Sequence, residues 1–234
     1  MEDFTGPDRS DHMQADTILP ALSEGTSSFT YRDRTVELFV GQEYWGFCAL
    51  KREISLTVGG VVVAHEVEYL DNWAPHIVRG MLTDRLRQYF DALEIFAVEI
   101  DRQLSALPRA ASKKAKNQLL EAAALIQNGT LVADGRSFGL VVGEQFIVLP
   151  SYFCSKTEKF AFGNLMIYKV GDQACWGSYN ISYLGEILSI SPKTVKVRKD
   201  SHRTTNMKLS KFLSYNVISV ANRAKRNEEM YLTI

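Results

Sequence analysis

The chain is short of several things that would fix its class at once. It has three cysteines in 234 residues, Cys48, Cys154 and Cys175, far apart and with no C-x-x-C pair. That spacing argues against a disulfide framework and a zinc site, so all three are expected as reduced packing residues. No apolar run approaches the roughly 20 residues that span a bilayer. No N-terminal stretch has the basic-then-apolar form of a secretory signal. A soluble, cytoplasmic protein without membrane contact is expected. There is no Gly-rich phosphate loop, no H-E-x-x-H, no G-x-S-x-G and no aspartate cluster suited to a metal. Gly139-Leu-Val-Val-Gly143 lies in a strand pattern with no helix start behind it. An enzyme is therefore not expected, nor a cofactor or a metal centre. Net charge is missing too: 27 Lys and Arg balance 27 Asp and Glu.

The distribution of charge is less even. From Ala174 to Ile234 ten Lys or Arg face four Asp or Glu, a net +6. From Met1 to Thr26 one Arg faces six acids, a net −5. A basic C-terminal block and an acidic N-terminal tail form an asymmetry seen in nucleic-acid binders. The hydrophobic content of 46% is enough for one large domain, or a domain with a small appendage.

Residues 1–26 are polar, acidic and broken by Gly and Pro, and read as a flexible tail whose Ile18, Leu19 and Leu22 can dock on the body. Phe29 to Leu70 reads as β. Thr35–Val40 and Glu53–Val58 alternate, Trp45–Leu50 reads as a buried run, and Gly59-Gly60 marks a hairpin into Val61–Tyr69. Alternation puts Glu66 and Glu68 on a polar outer face of that last strand and His65 on the other side. Pro75 opens a helix expected to run to Leu107 before Pro108. Its apolar positions recur every three or four residues from Val78 to Leu107, a stripe that serves either to cover the sheet or as a dimer seam through Leu82, Leu86, Tyr89, Leu93, Phe96 and Ile100. Glu94, Glu99 and Asp101 read as its solvent face. A second helix follows from Ala110 to Asn128, with Asn128-Gly129 as C-cap. Strands return at Thr130–Ala133, Ser137–Val142, Gln145–Leu149 and Asn164–Val170. The class expected is α+β: mostly antiparallel sheet with two central helices over residues 27–172, then a small basic all-α module over 173–234.

That module carries the most pointed motif, Ile181-Ser-Tyr-Leu-Gly-Glu-Ile-Leu-Ser-Ile-Ser-Pro-Lys-Thr-Val-Lys-Val-Arg198. It reads as a short helix, a tight turn and a second helix opening on Ser-Pro. Leu184, Gly185 and Leu188 suit the crossing of two helices, and Ile190 suits a plug in the turn. Ser191 can accept from the exposed amides of a first helical turn, and Pro192 suits the first helical position. Val195 would pack inward. Ser191, Lys193, Thr194, Lys196, Val197 and Lys199 would then face out to read DNA, with Val197 against a thymine methyl. Leu184 to Val195 resembles the core of the helix-turn-helix regulators of bacteria, phages and plasmids, over about a tenth of the chain. Ser189 stands where that family usually has Gly, and Arg198 where it usually has an apolar residue. Beyond it, Ser201–Asn206 reads as a polar loop or wing, and Met207 to Ala224 as a further helix. Arg203, Lys208 and Lys211, with Arg223, Lys225 and Arg226, suit backbone phosphates.

The resemblance implies a double-stranded-DNA-binding transcriptional regulator, a repressor or autorepressor, acting as a homodimer with recognition helices about 34 Å apart. A second possibility is an inhibitor or adaptor that binds a protein or nucleoprotein partner through its body. The layout is similar to that of phage anti-defence proteins that pair a binding domain with an autoregulatory helix-turn-helix.

Overall fold

A computed structural model describes residues 18–70, 75–134, 137–154, 159–176, 183–198 and 203–214. Its strands are β1 (Gly25–Tyr31), β2 (Arg34–Val40), β3 (Tyr44–Gly46), β4 (Ala49–Val58) and β5 (Val61–Tyr69), followed by helices α1 (Pro75–Ala106) and α2 (Lys113–Gln127). The chain continues with β6 (Val132–Ala133), β7 (Ser137–Val142), β8 (Gln145–Cys154), β9 (Lys159–Phe162) and β10 (Met166–Lys169). It closes with β11 (Gln173–Trp176), β12 (Tyr183–Ile190), β13 (Thr194–Arg198) and β14 (Thr204–Lys208), after which 209–214 are helical.

The strands make three antiparallel sheets. The first runs β1-β2-β4-β3 with β5 also on β4, the second β10-β8-β7-β6 with β9 also on β8, and the third β11-β12-β13-β14. The described residues are therefore mostly β, which corrects the α+β expectation, and they show no all-α C-terminal module. Tyr183–Ile190, Thr194–Arg198 and Thr204–Lys208 form three strands of the third sheet instead.

Two cores hold these layers. The first joins the inward residues of the first sheet, such as Val36, Leu38, Ile54 and Leu56, to α1, α2 and one face of β7–β8 through Phe138, Leu140, Ile147 and Leu149. The second joins the other face of β8 and β10, through Phe146, Val148 and Tyr168, to Ile187, Val195, Val197, Met207, Leu209 and Phe212. The middle sheet is thus covered on both faces, which is why Ser137–Val142 and Phe146–Leu149 are buried with scarcely a break. Phe212 closes the second core edge-on against Phe146 and Tyr168, with ring centroids 5.8 and 5.3 Å away.

Helix α1 meets both the first sheet and the middle sheet, so its apolar arc is wide. Leu82, Leu86, Tyr89, Leu93, Phe96 and Ile100 are all buried in the chain's own core. This corrects the dimer seam: the six side chains already fill intramolecular space, and none of them is presented to a second copy. Ser112 caps α2 by accepting from Ala115 N–H, so that helix begins later than Ala110. Arg34 of β2 donates to the Gln127 and Ile126 carbonyls at the other end, where a cation complements the helix dipole.

Four other expectations are revised. Leu19 is 2% exposed and belongs to the first core, with Ile18 and Leu22 packed against it, so the stretch after residue 17 is part of the body; residues 1–17 lie outside the described set. Glu68 does not face outward. It is buried and paired with Arg52, its register partner across the strands. Trp45–Leu50 is not a buried run, since Trp45 is 76% and Phe47 95% exposed. Cys48 is exposed as well, so it is not a packing residue.

Candidate nucleic-acid interface

The segment taken for a helix-turn-helix obeys two periodicities, and period two wins. In β13, Val195 and Val197 are buried while Lys196 and Arg198 are exposed. In β14, Met207 is buried between exposed Asn206 and Lys208. β-Branched residues alternating with cations suit a half-covered strand, because each inward side chain finds the middle sheet and each outward one finds water. The reach from Leu184 through Leu188 to Val195 also fits a helical face, which is why the sequence misleads.

Ser191-Pro192-Lys193-Thr194 is the pivot. Ser191 N–H donates to the Thr194 carbonyl at 2.9 Å, and Thr194 N–H donates to Ser191 Oγ at 3.2 Å. Ser191 Oγ also bonds the Thr194 carbonyl at 3.0 Å. A serine that can accept from an N–H three residues on, followed by a proline with fixed φ, suits a β-turn as well as a helix start. With no helix behind it, Ser191 closes the β12–β13 hairpin. Ser189 falls at an irregularity of the β12–β13 register, not in an interhelical turn.

Each expected DNA-contacting residue can now be located. Lys196, Lys208 and, beside them, Asn206 lie on the outer face of the third sheet, with Lys196 opposite Asn206 and Thr194 opposite Lys208. Lys193 is exposed in the turn, where its carbonyl accepts from Leu209 N–H at 3.1 Å. Ser191 and Thr194 are half-buried and occupied by the turn. Val197 is 1% exposed and faces the core, so contact with a thymine methyl is excluded. Arg203 is exposed just before β14, and Lys211 is exposed in 209–214. Lys199 lies outside the described residues. So do His202, Val217, Val220, Arg223, Lys225 and Arg226. The expected wing at Ser201–Asn206 ends in a strand, and the helix expected from Met207 starts at 209.

The outer face is cationic. Among the described residues of 183–214, Lys193, Lys196, Arg198, Arg203, Lys208 and Lys211 stand against the single acid Glu186. Glu186 sits beside Arg198 across β12–β13 and bonds it at 3.2 Å. Arg198 is one residue that the helical reading had set aside as an apolar position gone wrong; on a strand it belongs to the charged face. At one edge an open groove of about 440 Å³ runs between Lys193 and Lys208, floored by Val132, Pro192 and Leu209. Among the described residues no group of His, Cys, Asp or Glu is arranged to hold a metal ion.

A second polar cluster lies inside the body. Arg85 of α1 is buried; its Nε donates to the Val63 carbonyl at 3.2 Å and its terminal nitrogen to Ser151 Oγ at 2.8 Å and Gln88 Oε1 at 3.1 Å. Its guanidinium lies 4.3 Å from the centre of the Phe138 ring. Burial lowers its pKa to about 10. The sequence signal was faint: Arg85 and Gln88 flank the apolar stripe of a helix covered on more than one side. This cluster ties α1 to β5 and β8 and is structural in character.

Compared with protein-family models, with curated proteins and with solved structures, the chain matches none. Among the described residues no helix is long and apolar enough to cross a membrane.

Proposed function

We propose that the protein binds double-stranded DNA through the outward face of its C-terminal sheet. The observation that carries this is the strict alternation of β13 and β14, with Val195, Val197 and Met207 inside and Lys196, Arg198, Asn206 and Lys208 outside. Clustered cations on a rigid surface release counterions from a phosphate backbone, which gives affinity without base reading. Lys193, Lys196 and Lys208 are the principal phosphate ligands, since Arg198 is engaged by Glu186. Thr204, exposed opposite Arg198 on the same face, can add a neutral hydrogen bond. Asn206, next to Lys196, has the amide that pairs with adenine when a strand lies in a major groove. The absence of aromatic side chains from β13 and β14 favours duplex over single strands, which are held mainly by stacking.

The test is a salt titration of binding to a fluorescent duplex. A logarithmic salt slope of roughly −3 is expected from three phosphate contacts. Lys196→Ala with Lys208→Ala should flatten the slope by about 2 and weaken binding at least about tenfold at low salt. Both side chains are exposed, so the melting temperature should not move. Wild-type affinity of this double variant at every salt concentration would defeat the proposal. A regulatory role needs one thing more: duplex from the gene's own upstream region must bind more tightly than random duplex.

A further inference from the structure

The β3–β4 hairpin carries an apolar tip that the DNA face does not use. Tyr44 to Leu50 is an uncharged run, Tyr-Trp-Gly-Phe-Cys-Ala-Leu. Gly46 pairs with Ala49, which leaves Phe47 and Cys48 as a two-residue turn. Cys48 takes a left-handed backbone at φ 64°, a conformation unfavourable for a residue with a Cβ. That turn holds Phe47 outward with 95% of its surface in solvent, and Trp45 follows at 76%. Behind them Lys51, opposite Tyr44 on β3 and Tyr69 on β5, places its ammonium 4.7 Å from the Tyr69 ring centre. Two neighbouring large apolar side chains on a projecting turn are what an interaction anchor needs, because each carries much apolar area on few rotatable bonds.

The same chain has a receiving surface. On the outer side of α1 an open groove of about 580 Å³ is floored by Ile95, Val98, Phe162 and Leu165. Val98 is 70% exposed there. Asp91, Glu94 and Glu99 rim it. Arg32 braces the first two and Arg102 the third, so the rim keeps one acid in excess. Glu94, with 72% of its side chain in solvent, is the most open of the three.

We propose that the aromatic hairpin of one copy docks in the α1 groove of a second copy. Size and chemistry match: the groove is large enough for an aromatic side chain, its floor is apolar, and its acidic rim is opposite in charge to Lys51 behind the tip. The other groove, between Lys193 and Lys208, would set like charges against Lys51. Because hairpin and groove are different surfaces, the contact is head-to-tail and propagates into a ring or a chain of subunits. This interface does not use the apolar stripe of α1, which is itself committed to the core.

Light scattering of the full chain over a concentration series decides it. Mass should rise above that of one chain. Phe47→Ser and Val98→Glu should each weaken self-association about tenfold or more, with melting temperatures unchanged because both residues are exposed. An equimolar mixture of the two variants should form a dimer that neither forms alone, since one retains the groove and the other the hairpin. The proposal is overturned by a wild type that stays monomeric, by a variant that associates like wild type, or by a mixture that stays monomeric. A monomeric wild type that sediments with phosphatidylcholine vesicles through Phe47 would assign the tip to a lipid surface instead.

Discussion

Tyr89 illustrates what one residue contributes beyond its place in a pattern. The apolar spacing along α1 marks it as a core position, and it is fully buried. Its hydroxyl does something the spacing does not reveal: it donates to the Gly129 carbonyl and accepts from Leu131 N–H at 3.0 Å. It thereby fixes the exit of α2 against α1. Tyr89→Phe leaves both backbone groups without that partner and should cost about 1–3 kcal/mol in denaturant unfolding. Burial also raises the phenol pKa to about 12. A raised acid pKa means that the folded state holds the proton more tightly. The corresponding stability is therefore complete below about pH 10 and is lost as pH climbs towards 12. Arg85, lowered by burial to about 10, works in the opposite sense over the same window. The measurement to make is thus the difference between wild-type and Tyr89→Phe stability from pH 8 to 12, which should shrink as the pH rises.

At the scale of elements, the Gly59-Gly60 turn and the Asn128-Gly129 cap turn out to be one joint. Gly59-Gly60 turns β4 into β5 with both residues at positive φ. Gly129, also at positive φ, ends the segment after α2. A Cβ on Gly59 would lie 2.5 Å from the Asn128 carbonyl oxygen and 2.9 Å from that of Gly129, whereas a Cβ on Gly60 would meet nothing. Gly59→Ala combines backbone strain with a backbone clash and should cost about 2 kcal/mol or more. Gly60→Ala carries only the strain and should cost about 1 kcal/mol. Equal losses by thermal melting of the two variants would refute the close approach. The sequence marks one as a turn and the other as a cap, but that they touch depends on the C-terminal end of α2 reaching the first sheet, where Arg34 holds its last carbonyls. The Ser191–Thr194 turn shows the reverse limit. Its local chemistry is satisfied in two ways, and only the middle sheet beneath Val195 and Val197 selects the strand.

At the scale of the whole molecule, the middle sheet belongs to both cores, so a body of residues 27–172 and a module of 173–234 are not energetically separate. Phe146 and Val148, both wholly buried, owe that burial to Ile187, Val195, Met207 and Phe212. A chain ended after residue 172 should therefore expose a broad apolar face and aggregate or bind a hydrophobic dye. The intact chain should unfold in one calorimetric transition, with the van't Hoff and calorimetric enthalpies equal. Two resolved transitions, or a soluble and cooperatively folded 1–172 fragment, would separate the cores again. Among the described residues, the C-terminal cations Lys196, Arg198 and Lys208 are on the surface, but as the outer face of a sheet.

The sequence by itself determined the long helix from Pro75, the hairpin at Gly59-Gly60 and the cationic character of the C-terminal third, whereas Ser191-Pro192, read as a helix start, closes a hairpin instead. Those features rest on local chemistry: helical spacing over many turns, glycine at positive φ, and charge. Tertiary structure alone decided which of two periodicities Leu184 to Arg198 obeys, whether Phe47 and Glu68 are outside or inside, and what the apolar stripe of α1 covers. Those outcomes depend on a surface contributed from elsewhere in the chain, because burial against a distant sheet outweighs the small differences in local preference between strand and helix.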